Sequence, residues 1–427
     1  MATIYLRAEP SPPADGRWRF SWLLAAPHRI AFFAAALMLG ASALWWAAAM
    51  LARAQGWAWP WAVAPGLAHG LWLGWGFMPL FFAGFLFTAG PRWLGLPGPA
   101  AVALRLPICA MLAGWTAFAA GVHLHALVSS AGLGVVGLGW SALVLRFALL
   151  VRQSRTPDKT HARLVALACG GAAALMWTAA LRLARQEPAL VRAALHGGLW
   201  GCIALVYAVV SHRMIPFFTA AALPLLDAWR PMWLLWTLTG ALVFELPFVV
   251  AEQLWWPLPA RVRMLQAAVE APVGGLLLWL AWRWGVVQSM KVRLLAMLHL
   301  GFLWLGIAFV LNALSHGLMA ATRGTLSLGL APLHALTMGF MGATLVAMAT
   351  RVTCGHGGRP LAADDVVWRL FWLLQAAVLL RLGAALWPAG PVALLPLAAL
   401  LWAACMVGWA LRYGRWFGRP RADGRPG

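Results

Sequence analysis

The chain has 427 residues, a formal net charge of +21, 63% hydrophobic residues and only 10% charged ones. A soluble domain carries about a quarter charged residues, so this composition excludes that class and describes an all-α polytopic membrane protein. It also excludes nucleic acid as a partner, because the arginines stand between long apolar runs, where membrane topology puts them.

In chain order, residues 1–29 read as a polar, Pro- and Arg-rich cytoplasmic segment, followed by a retained first span with no cleaved leader. Apolar runs of about 20 residues, enough to cross the bilayer as a helix, recur twelve times. They cover roughly 30–51, 67–89, 101–120, 131–151, 163–184, 191–211, 231–251, 265–284, 294–313, 331–349, 366–387 and 392–411. Lipid cannot satisfy open strand edges, so the runs read as helices. They form a single twelve-helix transmembrane domain, 30–413, with a basic cytoplasmic tail, 414–427.

Twelve spans put both termini on one side. Lys and Arg concentrate in the termini and the even-numbered loops, which predicts cytoplasmic ends. Many of the 29 tryptophans sit near run ends, as in "GWAWPWAV" and "EQLWWPLP", at the level of the lipid headgroups. The five cysteines (Cys109, Cys169, Cys202, Cys354, Cys405) contain no C-x-x-C pair, which argues against a disulfide framework or a zinc ribbon.

Spans 2, 6 and 10 share a pattern: a histidine near the outer end with a glycine five residues on. The segments are "HGLWLG" at His69, "HGGLWG" at His196 and "HALTMG" at His334. Arg213 and Arg351 follow the second and third histidines at equal spacing; span 2 has Leu86 there. A period of four helices suggests three four-helix units.

Polar groups within a bilayer are expensive and tend to face the bundle interior. With this orientation, His69, His196 and His334 share one depth in the outer half. Glu245, Glu252, Glu270, Asn312, His316 and Arg381 lie in the same half, with His123 and His125 in the loop before span 4. Imidazoles converging from different helices suit a haem or copper site, and the nearby glycines would let a macrocycle or a helix approach. The alternative for each histidine is a hydrogen bond between helices. The glutamates read as partners of Arg381 or Arg182.

An inner group holds His28, His212, His299 and His356 with Arg29, Arg92, Arg213, Arg351 and Arg359. Its arginines could hold carboxylates such as haem propionates, or mark topology alone. His299, inside span 9 in "LAMLHLGFLWLG", is a further metal-ligand candidate. "CGHGG" reads as a flexible turn carrying Cys354 and His356, a weak C-x-H pattern.

The stretch "LHALTMGFMGATLVAMATRVTCGHGGRPL", 333–361, resembles the H-A-L-T-x-G…M-x-R-x-x-x-G-H-x-G-R-x-L signature of the NnrS family of bacterial membrane proteins. "PHRIAFF", "GFLFTAGPRWLG", "RMIPFFT" and "LHLGFLWLG" support it in the right order. The resemblance implies twelve helices, haem (b-type expected), copper, the bacterial inner membrane, and a role in nitric oxide metabolism and resistance to nitrosative stress. By the matching motifs it carries over His28, His69, Arg213, His299, His334, Arg351, His356 and Arg359. Many members start span 2 with H-x-H-E, where this chain has Leu71 and Trp72 in place of the second histidine and the glutamate.

Three functions compete. The first is a haem/copper protein that binds or processes nitric oxide, a ligand apolar enough to arrive through lipid. No adjacent His-His pair of the haem–copper oxidases occurs, so catalysis stays open, and no electron donor is named. The second is a secondary transporter of copper or a small anion. The third is a membrane scaffold or sensor.

Overall fold

The computed structural model of the chain describes residues 16–425. Residues 1–15 of the predicted N-terminal segment and 426–427 of the predicted tail lie outside the described residues. Twelve helices among the described residues are long and apolar enough to span a membrane, and there are no strands. They are α1 (Pro27–Ala54), α2 (Pro65–Leu86), α3 (Val102–Leu124), α4 (Ala126–Gln153), α5 (Thr160–Ala184) and α6 (Pro188–Ala222). The second half comprises α7 (Met232–Leu254), α8 (Ala260–Arg283), α9 (Arg293–Ala321), α10 (Ala331–His356), α11 (Asp365–Leu386) and α12 (Leu394–Phe417).

Each apolar run holds a helix, and most helices run past their predicted ends. Pro27 opens α1, since its fixed φ and missing N–H suit a first turn. His28 and Arg29 therefore lie inside α1, beyond the boundary drawn at residue 29. His123 ends α3, and only His125 stands between helices, where its Nδ1 accepts from the Leu127 N–H and caps α4. The predicted turn at "CGHGG" is corrected: Cys354 and His356 belong to the last turn of α10. Nothing interrupts the helix before Gly357, and the left-handed Gly358 (φ +67°) then turns the chain.

Both described ends of the chain lie on one side of the bundle. The Arg19 N–H donates to the Gly418 carbonyl (2.8 Å), and Ala422 N–H donates to the Gly357 carbonyl at the end of α10 (2.9 Å). Arg29 locks this terminal end, donating to the carbonyls of Arg419 (2.7 Å) and Phe417 (3.4 Å).

The four-helix period recurs in the packing. α4 lies along α5, α8 along α9, and α12 along α1, which closes the ring. α1 packs on α2, α5 on α6, and α9 on α10. The apolar windows of α2, α6 and α10 are 78%, 89% and 78% buried, against at most 67% in any other span, so these three form the centre. All three are irregular just after their histidines. α2 breaks between Trp75 and Met78, where Pro79 has no N–H for the Trp75 carbonyl. α6 widens into π-helical turns over Leu199–Ile203 and α10 over Ala335–Gly342, a distortion frequent at functional sites.

Lipid tails are as apolar as leucine, so close backbone approach supplies much of the cohesion between membrane helices. α3 and α4 meet at glycines. A Cβ on Gly114 would stand 2.6 Å from the Gly132 carbonyl oxygen, and one on Gly132 would stand 2.6 Å from the Gly114 carbonyl oxygen. Backbone cannot yield as a side chain tip can. Gly114→Val should therefore lower stability by about 1–3 kcal/mol, read as a drop in the thermal midpoint of the detergent-solubilised protein. Gly170→Ala, with nothing within 4 Å of the new Cβ, should leave the midpoint unchanged.

Candidate functional site

The centre brings two of the three outer histidines close together, with their ring planes nearly parallel. The His69 ring on α2 and the His334 ring on α10 have centroids 6.4 Å apart and planes 13° from parallel. His334 Nδ1 lies 2.9 Å from the Leu330 carbonyl one turn earlier. A carbonyl only accepts, so Nδ1 carries the proton and Nε2 keeps its lone pair. The His69 ring stacks on Trp46 of α1 (3.9 Å between centroids), and its buried Nδ1 has no partner. Arg381 of α11 lies within electrostatic reach of both rings. Among the described residues it has no carboxylate partner, so the predicted pairing with the glutamates is not found.

The third outer histidine is within electrostatic reach of His334 and borders a polar cavity. His196 of α6 lines a cavity of about 270 Å³ at the end opposite the termini, together with Glu245, Glu252, Asn312 and His316. Glu252 and Glu270 find their partners within α8 and α9. Arg263, at the start of α8, donates to Glu252. His316 places Nδ1 2.8 Å from Glu270 and Nε2 3.3 Å from Glu252. Arg182 takes Glu187 instead (2.8 Å).

The glycines of the repeated motif admit neighbouring helices. A Cβ on Gly74 would meet Leu199 of α6 at 3.1 Å, one on Gly201 would meet Leu246 of α7 at 2.8 Å, and one on Gly339 would meet Trp304 of α9 at 2.7 Å. Of the two uses foreseen for them, helix approach is the one their surroundings fill.

At the terminal end the inner group divides. His28 and His356 lie with ring centroids 4.5 Å apart. Arg213 sits over Trp93 (4.7 Å), Arg351 over Phe218 (3.9 Å) and Arg359 over Trp416 (4.1 Å), three cation–π contacts. His299 is fully buried and alone: its Nε2 bonds the Thr219 hydroxyl of α6 at 2.8 Å, while Nδ1 has no partner. His161 and His212 form a pair that the sequence reading missed. The Pro231 carbonyl takes the His212 Nε2 proton (3.1 Å), so His212 Nδ1 accepts from His161 Nε2 (3.0 Å). In the adjoining loop, the Thr160 backbone N–H donates to Asp158 (3.0 Å) and holds that carboxyl below its ordinary range.

His123, also read as a candidate, is spent on structure. It accepts from the Trp45 indole at Nε2 (2.9 Å) and donates from Nδ1 to the Pro60 carbonyl (2.8 Å). Cys354 and His356, two apart on a helix, face different sides. Among the described residues no three His, Cys, Asp or Glu side chains converge as a metal site.

Between the two ends lies an apolar cavity bounded by α1, α2, α6, α9 and α10. Phe32, Phe81, Phe82, Phe85, Tyr207 and Thr344 line it, and the Tyr207 and Thr344 hydroxyls are buried without partners. Seventeen residues of helix separate His334 from Arg351, about 25 Å at 1.5 Å per residue. One macrocycle cannot touch both.

The chain matches the family described as NnrS protein over residues 22–421. That is nearly its whole length, and the chain belongs to the NnrS family. No curated protein and no solved structure matches it.

The surroundings of His299 give it a structural role joining α9 to α6. Thr219→Val leaves its Nε2 unpartnered in a dry interface and should cost about 1–3 kcal/mol of stability, measured by thermal unfolding in detergent. Thr219→Ser, which restores the hydroxyl, should recover most of that loss.

Proposed function

We propose that this multi-pass membrane protein of the NnrS family serves the nitric oxide response by holding a b-type haem between His69 and His334. The observation that carries the proposal is the spacing of the two rings. Two imidazoles approach one another from different helices, and these are the residues that would hold the metal. The pair sits at 6.4 Å with nearly parallel planes. Its protonation pattern agrees, because Leu330 holds the His334 proton on Nδ1 and leaves Nε2 to ligate.

The supporting residues have distinct tasks. Trp46 fixes the plane of the His69 ring. Arg381 is the cation beside both rings and would hold a propionate carboxylate. Arg213, Arg351 and Arg359, about 25 Å away along the helices, serve the terminal end instead. A haem supplies one-electron chemistry and affinity for nitric oxide. The apolar cavity lined by Phe32, Phe81 and Tyr207 gives a small apolar gas somewhere to lodge after entering through lipid. Copper receives no residues in this reading, because no three-ligand set converges among the described residues. The working membrane is the bacterial inner membrane, with both termini in the cytoplasm.

The test is the visible spectrum of the purified protein from haem-supplied cells, oxidised and dithionite-reduced. The wild type should show a b-type haem. His69→Ala and His334→Ala should each lose most of it, Arg381→Gln should retain it more weakly, and His299→Ala should leave it unchanged. A spectrum without haem bands in the folded wild type would overturn the reading and favour transport. Full haem content in both folded histidine variants would remove the assigned ligands.

A further inference from the structure

The cavity beside His196 contains a charge imbalance that the haem reading does not use. Glu245 of α7 and Glu270 of α8 are both 0% exposed and lie side by side. Apart from its contact with Glu270, neither oxygen of Glu245 has a hydrogen-bond partner, and Glu245 lines the cavity. One oxygen of Glu270 is also unpartnered. Glu252, nearer the helix end, is the third carboxyl.

The groups facing this cluster can be taken helix by helix. α6 contributes His196 and Arg192, and Arg192 is turned to Gln253 (3.3 Å). α8 contributes Arg263 and Gln266, and Arg263 is bonded to Glu252. α9 contributes His316 and Asn312. One guanidinium thus stands within a cluster of three carboxyls. A buried carboxylate without a cation is strongly unfavourable, so the missing positive charge has to come from a bound cation. The cavity of about 270 Å³ has room for several water molecules. Yet the described residues offer no three-ligand metal set. Protons are the cations that this geometry takes.

His316 provides the route. Its two ring nitrogens bridge Glu252 (3.3 Å) and Glu270 (2.8 Å). We propose that Glu252, His316, Glu270 and Glu245 form a proton relay between solvent at the end opposite the termini, which Glu252 meets, and the buried part of the cavity wall at Glu245. In one transfer, Nε2 accepts the proton of the Glu252 carboxyl as Nδ1 gives its own to the Glu270 carboxylate. One N–H bond forms and one breaks, and the net result is one proton moved inward. Ring reorientation resets the imidazole. Glu245, next to Glu270 and open to the cavity, holds the delivered proton. The relay is independent of whether a haem sits at His69 and His334.

Infrared difference spectroscopy of the purified full chain tests this, with exchange from H2O into D2O at neutral pH. The wild type should show a protonated carboxyl stretch that shifts downward as deuterium replaces the proton. Glu245→Gln and Glu270→Gln should each remove or halve that band, and His316→Gln should keep it but slow its exchange severalfold. A band untouched by both Gln variants overturns the proposal, as does unchanged exchange in His316→Gln. So does a band that appears only after a metal cation is stripped away, because the site then binds that cation. If either buried variant fails to fold, Glu252→Gln, at the partly exposed entrance, decides by exchange rate alone.

Discussion

Lipid offers no hydrogen-bond partner, so each polar group at the centre of this bundle must be satisfied by another part of the chain or by something the chain binds. That constraint acts hardest on α2, α6 and α10, the most buried helices and the ones that depart from regular geometry. Some of their polar groups find internal partners: His334 uses its own preceding turn, Thr219 of α6 pairs with His299, and Thr350 of α10 accepts from the Trp409 indole (2.9 Å). Among the groups left over are His69 Nδ1 beside His334, the Glu245 carboxyl on a polar cavity, and the Tyr207 and Thr344 hydroxyls on an apolar one.

The same constraint separates the molecule into two polar ends with an apolar middle. The end opposite the termini holds His69 and His334, Arg381 and the acidic cluster. The terminal end holds His28, His356 and arginines laid over aromatic rings, with Arg29 drawing the last residues back onto the bundle. The intervening cavity is lined by phenylalanines, so a charged solute meets a barrier there while a small apolar one does not.

Much of this layout was readable from the residues. Apolar runs measured against bilayer thickness marked the twelve helices, and the shared "H-x-x-x-x-G" spacing marked the three that form the centre. Depth was readable too, because a helix advances by a constant rise and the positive residues orient the chain. The errors came where a neighbour decides. "CGHGG" read as a turn, yet the helix runs on to His356 because only the Gly357–Gly358 pair and Pro360 stop it. Glu252 read as a partner of Arg182 or Arg381, whereas the tight connection between α7 and α8 brings it to Arg263. The His161–His212 pair had no signal, since its members lie on different helices and repeat no spacing.

The sequence by itself determined how many helices cross the membrane, which three carry the central histidines and how deep each polar group lies. Those properties depend on run length, composition and rise per residue, all local quantities. Only the tertiary structure decided that His69 meets His334 while His196 borders the cavity that Glu245 and Glu252 line, and that the repeated glycines receive side chains of neighbouring helices. Such meetings depend on the rotation of each helix about its axis and on which helices become neighbours. In a bundle this apolar, no hydrophobic stripe along a single span dictates that rotation, so the packing of the whole set is what resolves it.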